Sequence, residues 1–294
     1  MTTAPSVFRP GATALITGAA SGIGFAAAQH CHQQGMNLIL VDIDPAKLTE
    51  AANALDLPQS TSKIHTFVLD VANQEAWERL KPTIHNLYPD GIDLLMLNAG
   101  RLAQPAPGKT PWQDPSYFES TFATNTFGYT NGLAAFLDSV TTSATEKAPR
   151  AIILTGSKQG ITNPPGNPAY NASKSAVKTI AEHLAFDLHR THPQVGVHLL
   201  VPGWVYTGMM QAHFPTKPVG CWTPQETVAF MVRRMAAGSF YIVCPDNEVS
   251  EELDKKRIAW ACGDIVHDRP ALTRWRDDWK ERAAKGIEEL DVSK

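Results

Sequence analysis

Seven short apolar segments recur along the chain, and they restrict its fold more than any other feature. They are continuous rather than alternating, which is typical of strands buried on both faces of a sheet. Helix-length stretches separate them, such as 24–34, 74–87 and 172–190. This alternation predicts an α/β fold, doubly wound in three layers, with a parallel sheet of about seven strands. The predicted strands are 13–16, 37–41, 65–69, 92–97, 151–154, 197–201 and 240–244.

The last part of the chain departs from this alternation. Residues 247–294 follow the last predicted strand, have a helical pattern and contain Trp260, Trp275 and Trp279. Because large aromatic side chains are seldom left in water, we expect Trp260 and one of the other two to be buried against the rest of the chain or a neighbouring subunit. We therefore expect one domain over residues 1–294, with 247–294 as a helical C-terminal extension.

Composition and charge exclude several classes of protein. The 26 basic and 29 acidic residues give a net charge of −3, which provides no reason to expect nucleic acid or a membrane surface as a partner. No apolar run approaches the roughly 20 residues that span a bilayer, and the amino terminus lacks the apolar core of a signal peptide. The 4 cysteines form no CxxC or Cys/His cluster, so we expect reduced thiols and no metal site. We expect a cytoplasmic protein that acts on a small molecule.

A glycine-rich turn follows the first predicted strand and leads directly into a helix. The turn runs Thr17-Gly18-Ala19-Ala20-Ser21-Gly22-Ile23-Gly24. Glycines let the backbone approach a ligand closely, and the free N–H groups at a helix start attract a pyrophosphate. In this strand–turn–helix context the pattern predicts a dinucleotide site. Its expected residues are Gly18, Ser21, Gly22, Ile23 and Gly24.

Asp42 ends the second predicted strand, about 20 residues beyond the glycines. An acidic side chain at this place can accept hydrogen bonds from the adenosine ribose, and it repels a 2′-phosphate. Asp44 is expected to cap the next helix, with Pro45 at the first helical position. Lys47 is the first basic residue after Asp42. The charge pattern predicts NAD in preference to NADP.

Further motifs resemble the short-chain dehydrogenase/reductase family, in order over nearly the whole chain to about Asp246. The turn matches the family pattern TGxxxGxG, and Leu97-Asn98-Ala99-Gly100 resembles its Asn-Asn-Ala-Gly motif, with Leu97 in place of the first Asn. Asp70-Val71 resembles the adenine-contacting Asp-Val pair, and Asp70 is also compatible with a helix N-cap. The resemblance implies a Rossmann fold that binds NAD(P). The cofactor contacts it implies beyond the turn are Asp70, Val71, Asn98, Ala99, Gly100, Tyr170, Lys174, Pro202, Gly203, Val205 and Thr207.

The residues that would carry chemistry also follow from this resemblance. Tyr170-Asn171-Ala172-Ser173-Lys174 resembles the YxxxK signature, and Ser157 precedes it at the family spacing. Tyr and Lys four residues apart share one face of a helix. A nearby ammonium and the positive charge of oxidised nicotinamide favour phenolate, so we expect a lowered pKa for Tyr170 as general acid/base. Ser157 would bind the substrate oxygen and Lys174 the nicotinamide ribose, while Asn125 would hold a water that links Lys174 to solvent.

The substrate side is less determined by the sequence. Pro202-Gly203-Trp204-Val205-Tyr206-Thr207 resembles the PGxVxT segment that folds over the nicotinamide. The bulky Trp204 and Tyr206 indicate either a pocket for a hydrophobic ketone or secondary alcohol, or a lid packed on the tail. Lys158 and Gln159, directly after Ser157, face either polar substrate groups or solvent.

These observations favour an NAD-dependent oxidoreductase that interconverts a hydrophobic secondary alcohol and its ketone. One alternative keeps the fold but performs a redox-neutral step such as epimerisation. Another is an NAD-binding scaffold without catalysis, which the complete set of Ser157, Tyr170 and Lys174 weighs against. The family resemblance also implies a homodimer or homotetramer.

Overall fold

A seven-stranded parallel sheet forms the centre of the computed structural model, which describes residues 6–56, 61–211 and 214–293. Its strand order is β3-β2-β1-β4-β5-β6-β7, and every neighbouring pair is parallel. Each expected segment forms a strand within a few residues of its expected bounds, so the predicted fold class is confirmed. The strands are β1 (Thr13–Thr17), β2 (Asn37–Asp42), β3 (Ile64–Val68), β4 (Leu94–Leu97), β5 (Arg150–Thr155), β6 (Val195–Val201) and β7 (Tyr241–Val243).

Helices cover both faces of this sheet. No helix among the described residues is long and apolar enough to cross a membrane. The helices are α1 (Gly22–Gln33), α2 (Pro45–Leu55), α3 (Gln74–Leu87), α4 (Pro115–Phe122), α5 (Gly128–Thr141), α6 (Gln159–Thr162), α7 (Pro168–Thr191), α8 (Gly208–Gln211), α9 (Pro224–Ala236), α10 (Glu251–Val266) and α11 (Lys280–Glu289).

Two apolar cores, one on each face of the sheet, hold these layers together. Successive residues of β4 point to opposite faces, as in any strand, and all four are buried. Leu95 contributes to the core that contains Trp77 and Phe136, whereas Met96 contributes to the core that contains Phe230. Burial on both faces explains why the strands are continuous apolar runs.

The strand order reverses between β1 and β4, and this reversal locates the site. Leu15 of β1 pairs with Ile39 of β2 on one side and with Leu95 of β4 on the other. The connections on the two sides of such a point diverge, which leaves a crevice at the carboxyl ends of the strands.

The starts of α2 and α3 show how local sequence sets the helix boundaries. Asp44 caps α2, since its Oδ1 accepts hydrogen bonds from the N–H groups of Ala46 and Lys47, both at 3.1 Å. Asn73, and not Asp70, caps α3, because the Asn73 side chain accepts from the N–H of Ala76 at 3.1 Å. Asp70 is therefore not a helix cap.

The C-terminal extension forms α10, α11 and two short 3₁₀ turns. Trp260 is 7% exposed, but it packs against Ala283 and Ile287 of α11 and donates a hydrogen bond to Thr273 Oγ1 at 2.9 Å. Trp275 is 39% exposed. The expectation that Trp260 is buried is therefore confirmed, and Trp279 is partly buried beside it, but both pack in a small apolar core of the extension itself and not against the rest of the chain.

Candidate active site

The glycine-rich turn joins β1 to α1 at the carboxyl edge of the sheet. Gly24 lies in the first turn of α1, where a Cβ would overlap the carbonyl oxygen of Gly18, so no side chain fits. The side chain of Ser21 makes no capping hydrogen bond, and Ser21, Gly22 and Ile23 line the cavity above the sheet. Backbone N–H groups at an uncapped helix start are a site for an anion such as pyrophosphate.

Asp42 lies at the end of β2, beside this turn. Its Oδ2 accepts a hydrogen bond from the N–H of Ala20 at 3.0 Å, and its Oδ1 accepts from the N–H of Asp44 at 3.2 Å. The carboxylate thus fastens the glycine turn to β2 while it still lines the cavity. Lys47, the nearest cation along the chain, lies 3.4 Å from the carboxylate of Asp44. The charge at this corner of the cavity is therefore negative.

Asn98 connects the ends of three neighbouring strands. Its Nδ2 donates to the carbonyl of Thr17 at 3.1 Å, and its Oδ1 accepts from Thr155 Oγ1 at 3.2 Å. Its backbone N–H donates to Thr17 Oγ1 at 2.8 Å. Leu97, which replaces the first Asn of the family motif, is buried within β4. One amide side chain therefore links β1, β4 and β5 beneath the cavity.

Ser157 and Tyr170 come together from two different elements. Ser157 follows β5 after a single glycine, whereas Tyr170 stands on the first turn of α7, and both line the cavity. Burial raises the pKa of Tyr170, and a hydrogen bond with Ser157 acts in the opposite direction without reversing the shift. The expectation of a lowered pKa is therefore wrong for the protein by itself, since Lys174 does not produce it.

Lys174 is buried one helical turn beyond Tyr170. Its Nζ donates to the carbonyl of Thr155 at 2.8 Å and to Tyr129 Oη at 3.2 Å, and it lies 6.0 Å from the centroid of the Tyr170 ring. Burial lowers the pKa of Lys174 to about 7. Near neutrality this amine can therefore either hold or release a proton.

Tyr129 is a residue that the sequence analysis missed. It is fully buried on α5, and its Oη donates to the carbonyl of Thr155 at 3.0 Å while it accepts from Lys174. Tyr129 follows Asn125 by one helical turn, so helical spacing from Asn125 was the signal that could have found it.

Asn125 lies in a π-helical turn, Ala123–Phe127, between α4 and α5. Its Oδ1 accepts from the N–H of Arg101 at 2.8 Å, and its Nδ2 donates to the carbonyl of Arg101 at 3.0 Å and to Ser173 Oγ at 3.2 Å. A Cβ on Gly100 would lie 3.4 Å from Asn125 Oδ1 and 3.5 Å from Lys174 Nζ. Asn125 and Lys174 therefore approach the same point from two helices, and π turns of this kind are frequent at functional sites.

The segment after Pro202 forms the other wall of the cavity. Trp204 lines the cavity and packs edge-to-face on Phe214, with ring centroids 5.8 Å apart. Tyr206 is not among the described residues that line the cavity, and its Oη donates to the carbonyls of Phe214 and Pro215, both at 3.0 Å. Trp204 thus faces the cavity, while Tyr206 fastens the backbone at Phe214 and Pro215.

The side chains of Lys158 and Gln159 point in different directions although the residues are adjacent in the sequence. Gln159 lines the cavity, and its Oε1 accepts no hydrogen bond from the described residues. Lys158 is outside the described lining, and its Nζ lies 2.6 Å from the carboxylate of Asp254 in α10. The structure therefore places Gln159 in the cavity wall, whereas Lys158 points away from the cavity toward α10.

One cavity of about 560 Å³ extends from the glycine turn and Asp42 to Ser157, Tyr170 and Lys174. Its size and its mixture of apolar walls with a few converging polar groups are typical of a small-molecule site. Most of the sequence-predicted site residues line it; the exceptions are Gly24, Asn125, Lys158 and Tyr206. Lining residues beyond those expected include Ile43, Leu69, Arg101, Leu102, Thr124, Thr155 and Gly156. The uncapped turn at one end and Asp42 beside it fit a dinucleotide.

The family model described as short chain dehydrogenase matches residues 12–218. Among curated proteins, the chain is 31% identical over 199 residues to the 1-deoxy-11-beta-hydroxypentalenate dehydrogenase of Streptomyces exfoliatus, a match that covers 67% of this chain and 69% of that protein.

Solved structures share the fold. A short-chain dehydrogenase/reductase from Burkholderia phymatum in complex with NAD superposes with a TM-score of 0.74 at 24% identity, covering 88% of this chain and 96% of that one. The L-sorbose reductase of Gluconobacter frateurii, complexed with NADPH and L-sorbose, gives a TM-score of 0.67 at 20% identity, covering 80% and 96%. Neighbours of this fold thus bind either NAD or NADP. With its family match over residues 12–218, this chain belongs to the short-chain dehydrogenase/reductase family of oxidoreductases.

Proposed function

We propose that the protein is an NAD-dependent dehydrogenase/reductase that interconverts a hydrophobic secondary alcohol and its ketone. The observation that carries the proposal is that Ser157, Tyr170 and Lys174 line the same cavity as the glycine turn and Asp42. A relative whose name describes the dehydrogenation of a hydroxylated compound supports the reaction class.

The preference for NAD rests on the charge at the end of β2. Asp42 is the acidic group at the place where the 2′-phosphate of NADP would lie, and a phosphate there would face a like charge. Lys47 would be the nearest compensating cation along the chain, but it is paired with Asp44. The residues at this corner therefore favour a ribose with free hydroxyl groups.

When bound, NAD supplies the group that accepts the hydride from the alcohol carbon. Tyr170 removes the hydroxyl proton during oxidation and returns it during reduction. Ser157 donates a hydrogen bond to the substrate oxygen and fixes its direction. Lys174, held by the carbonyl of Thr155 and by Tyr129, can hold a proton beneath Tyr170 because its pKa is close to neutrality. Asn125 keeps the Arg101 backbone in place beside Lys174.

The apolar part of the cavity lining fits a hydrophobic substrate. Leu102, Trp204, Met209 and Met210 belong to this lining. Burial of an apolar ligand against apolar walls stabilises the complex by roughly 25 cal/mol per Å² of apolar surface removed from water. Gln159 offers a polar atom with no partner among the described residues, which fits a second polar group on the substrate.

The direct test is a panel of hydrophobic cyclic and acyclic secondary alcohols and ketones, followed by the absorbance of NADH. We expect turnover of at least one alcohol with NAD, and loss of nearly all turnover in Tyr170→Phe on the same substrate. Conversion of a substrate with no net change in NADH would favour epimerisation instead. NAD binding without turnover of any compound in the panel would favour a scaffold.

We also propose that the enzyme works in the cytoplasm as a homodimer or homotetramer, with residues 1–294 as one domain. Phe186 on α7 is 77% exposed and Phe127, next to α5, is 55% exposed, and exposed aromatic side chains on neighbouring helices are typical of contact surfaces. Light scattering on the purified protein would measure the mass, and a monomer at micromolar concentration would contradict the oligomer.

A further inference from the structure

A largely buried lysine next to Ser157 has two acidic partners. Lys158 Nζ lies 2.6 Å from Asp254 Oδ2 and 3.4 Å from Asp246 Oδ2. The side chains of Lys158, Asp246 and Asp254 are 16%, 8% and 5% exposed. Asp246 follows β7, whereas Asp254 belongs to α10 in the C-terminal extension. The ammonium therefore joins the segment after β5 to two later parts of the chain.

The same lysine is also fastened to the cofactor-binding loop. Its backbone N–H donates to the carbonyl of Pro202 at 3.2 Å. A Cβ on Gly203 would lie 2.8 Å from both Lys158 Nζ and Asp246 Oδ2, so the missing side chain at Gly203 makes room for the ion pair. Ser157, directly before Lys158, is thus held beside the Pro202-Gly203 loop, which also lines the cavity.

This contact is the main electrostatic link between the tail and the sheet. Among the residues that the structure describes, no other ion pair joins the tail, residues 251–293, to the part of the chain before it. A weaker contact lies beside it, since Trp275 Nε1 donates to the carbonyl of Thr162, at the end of α6, at 3.3 Å. Both contacts reach the short stretch that follows Ser157, and the tail itself lines no described part of the cavity.

The charge on Asp254 does not stabilise the fold at neutral pH. Burial raises the pKa of Asp254, and the attraction of Lys158 only partly offsets this. A carboxyl group whose folded-state pKa is above its unfolded value binds its proton more tightly when folded, so its ionised form at pH 7 lowers the free energy of unfolding. A buried ion pair that does not add stability is better explained by a role in fixing the relative positions of the segments that it joins.

We propose that Asp254 is a positioning residue for the reaction: through Lys158 it holds Ser157 and the Pro202-Gly203 loop at the separation that the substrate and cofactor require. The tail thereby positions the residues of the site although it does not line the cavity. This inference rests on the proposed function, because it assigns Ser157 its role toward the substrate oxygen.

The test compares Asp254→Asn with a matched control on the same helix, Glu252→Gln. Glu252 is 70% exposed and pairs with Lys256 at 3.1 Å, so its replacement removes an α10 charge that does not reach the site. Asp254→Asn is chosen because Lys158 keeps Asp246 as a partner, whereas loss of Lys158 would leave two buried carboxylates facing each other. Misplacement of a reacting group by about 1 Å can cost about 100-fold in rate.

We expect Asp254→Asn to lower kcat about tenfold, with little change in KM or NAD affinity and with an unfolding temperature equal to or above that of the wild type. Glu252→Gln should match the wild type in kcat. Asp254→Glu, which keeps the charge, should recover part of the lost rate. A purely structural role would instead lower the unfolding temperature and leave kcat per folded molecule unchanged, and that result would overturn the proposal.

Hydrogen exchange on the protein without substrate gives a second, independent measurement. Peptides that cover residues 155–163 should exchange faster in Asp254→Asn than in the wild type or Glu252→Gln. Unchanged exchange there would overturn the proposal even if the rate falls. If the wild type turns over no compound of the panel, the proposed function fails, while the exchange experiment still decides whether Asp254 orders the Ser157 segment.

Discussion

The sheet region buries its strands between two helical layers, whereas the tail, residues 251–293, buries a small core of its own and meets the sheet region largely through polar contacts. All four side chains of β4 and all six of β5 are buried. The tail core consists of Trp260, Ala283 and Ile287, with a few half-buried neighbours. Elements with few apolar contacts open locally at a lower free-energy cost than core strands. The two regions should therefore respond separately to mutation, even though an ion pair connects the tail to the site.

The largest expected effect tests whether the chemistry belongs to the sheet region alone. Tyr170→Phe keeps the ring but removes the ionisable hydroxyl, so turnover should fall about 1,000-fold, within the usual contribution of a general acid/base. NAD affinity and the unfolding temperature should stay near their wild-type values. Steady-state kinetics and a fluorescence titration with NADH would measure both. Retention of most activity would mean that another residue supplies the proton.

A tail mutation should separate the two regions by stability. Trp260→Ala removes the centre of the tail core, and Trp-to-Ala changes of this kind cost about 3–5 kcal/mol. Because Trp260 packs on α11 and not on the sheet, hydrogen exchange should speed up over 251–290 and stay slow in β4 and β5. Trp112→Ala, at a side chain that is 78% exposed, is the control and should change neither region. Equal loss of protection in tail and sheet would show that they unfold as one unit.

Lys174 should make the sheet region's stability depend on pH. Its pKa is about 7 when folded, below its ordinary value, so above pH 7 the unfolded chain holds a proton that the folded protein has released. Wild-type stability should therefore gain from this residue as pH rises from about 7 to about 10. Lys174→Met lacks the buried charge, so it should raise the unfolding temperature most below pH 7, and its advantage should shrink toward pH 10.

Lys178→Met is the matched control for this prediction, because Lys178 lies one turn further along α7 in a partly exposed pair with Glu182. It should show no such stabilisation at low pH. Lys174→Met should also reduce turnover, since the amine beneath Tyr170 is lost. A Lys174→Met protein that is less stable than the wild type at pH 6 would contradict the assignment of a costly buried charge.

The smallest expected effect concerns Asp42, which lines the cavity beside the glycine turn. Asp42→Ala should lower the ratio of catalytic efficiencies for NAD over NADP about tenfold, equivalent to about 1.4 kcal/mol, because repulsion of the 2′-phosphate is removed. Asp44→Ala, which removes only the cap of α2, should leave that ratio unchanged. Catalytic efficiency of the wild type with NADPH equal to that with NAD would contradict the preference.

Several features of the site could not have been predicted from local sequence. Tyr129 contacts Lys174 across two helices, and Asp254 reaches Lys158 from a distant part of the chain. Helical spacing from Asn125 points to Tyr129 itself, but neither contact follows a turn, strand or helix spacing, so only the folded chain brings each pair together. In the protein by itself burial raises the pKa of Tyr170, against the lowering expected from Lys174, because the spacing to Lys174 gives a shared helix face but not the extent of burial.

The sequence by itself determined the elements whose signals are local. Apolar runs predicted the seven strands, Asp44 predicted a helix start, and the four-residue step from Tyr170 to Lys174 put both side chains on one face of α7. Tertiary structure decided what depends on packing: the small separate core around Trp260, the burial that shifts the pKa of Lys174, and the link from the tail to the segment after Ser157. The side-chain pattern of a helix or strand repeats every few residues and can therefore be recognised in the sequence. Burial and charge pairing arise only when distant segments meet in the folded protein.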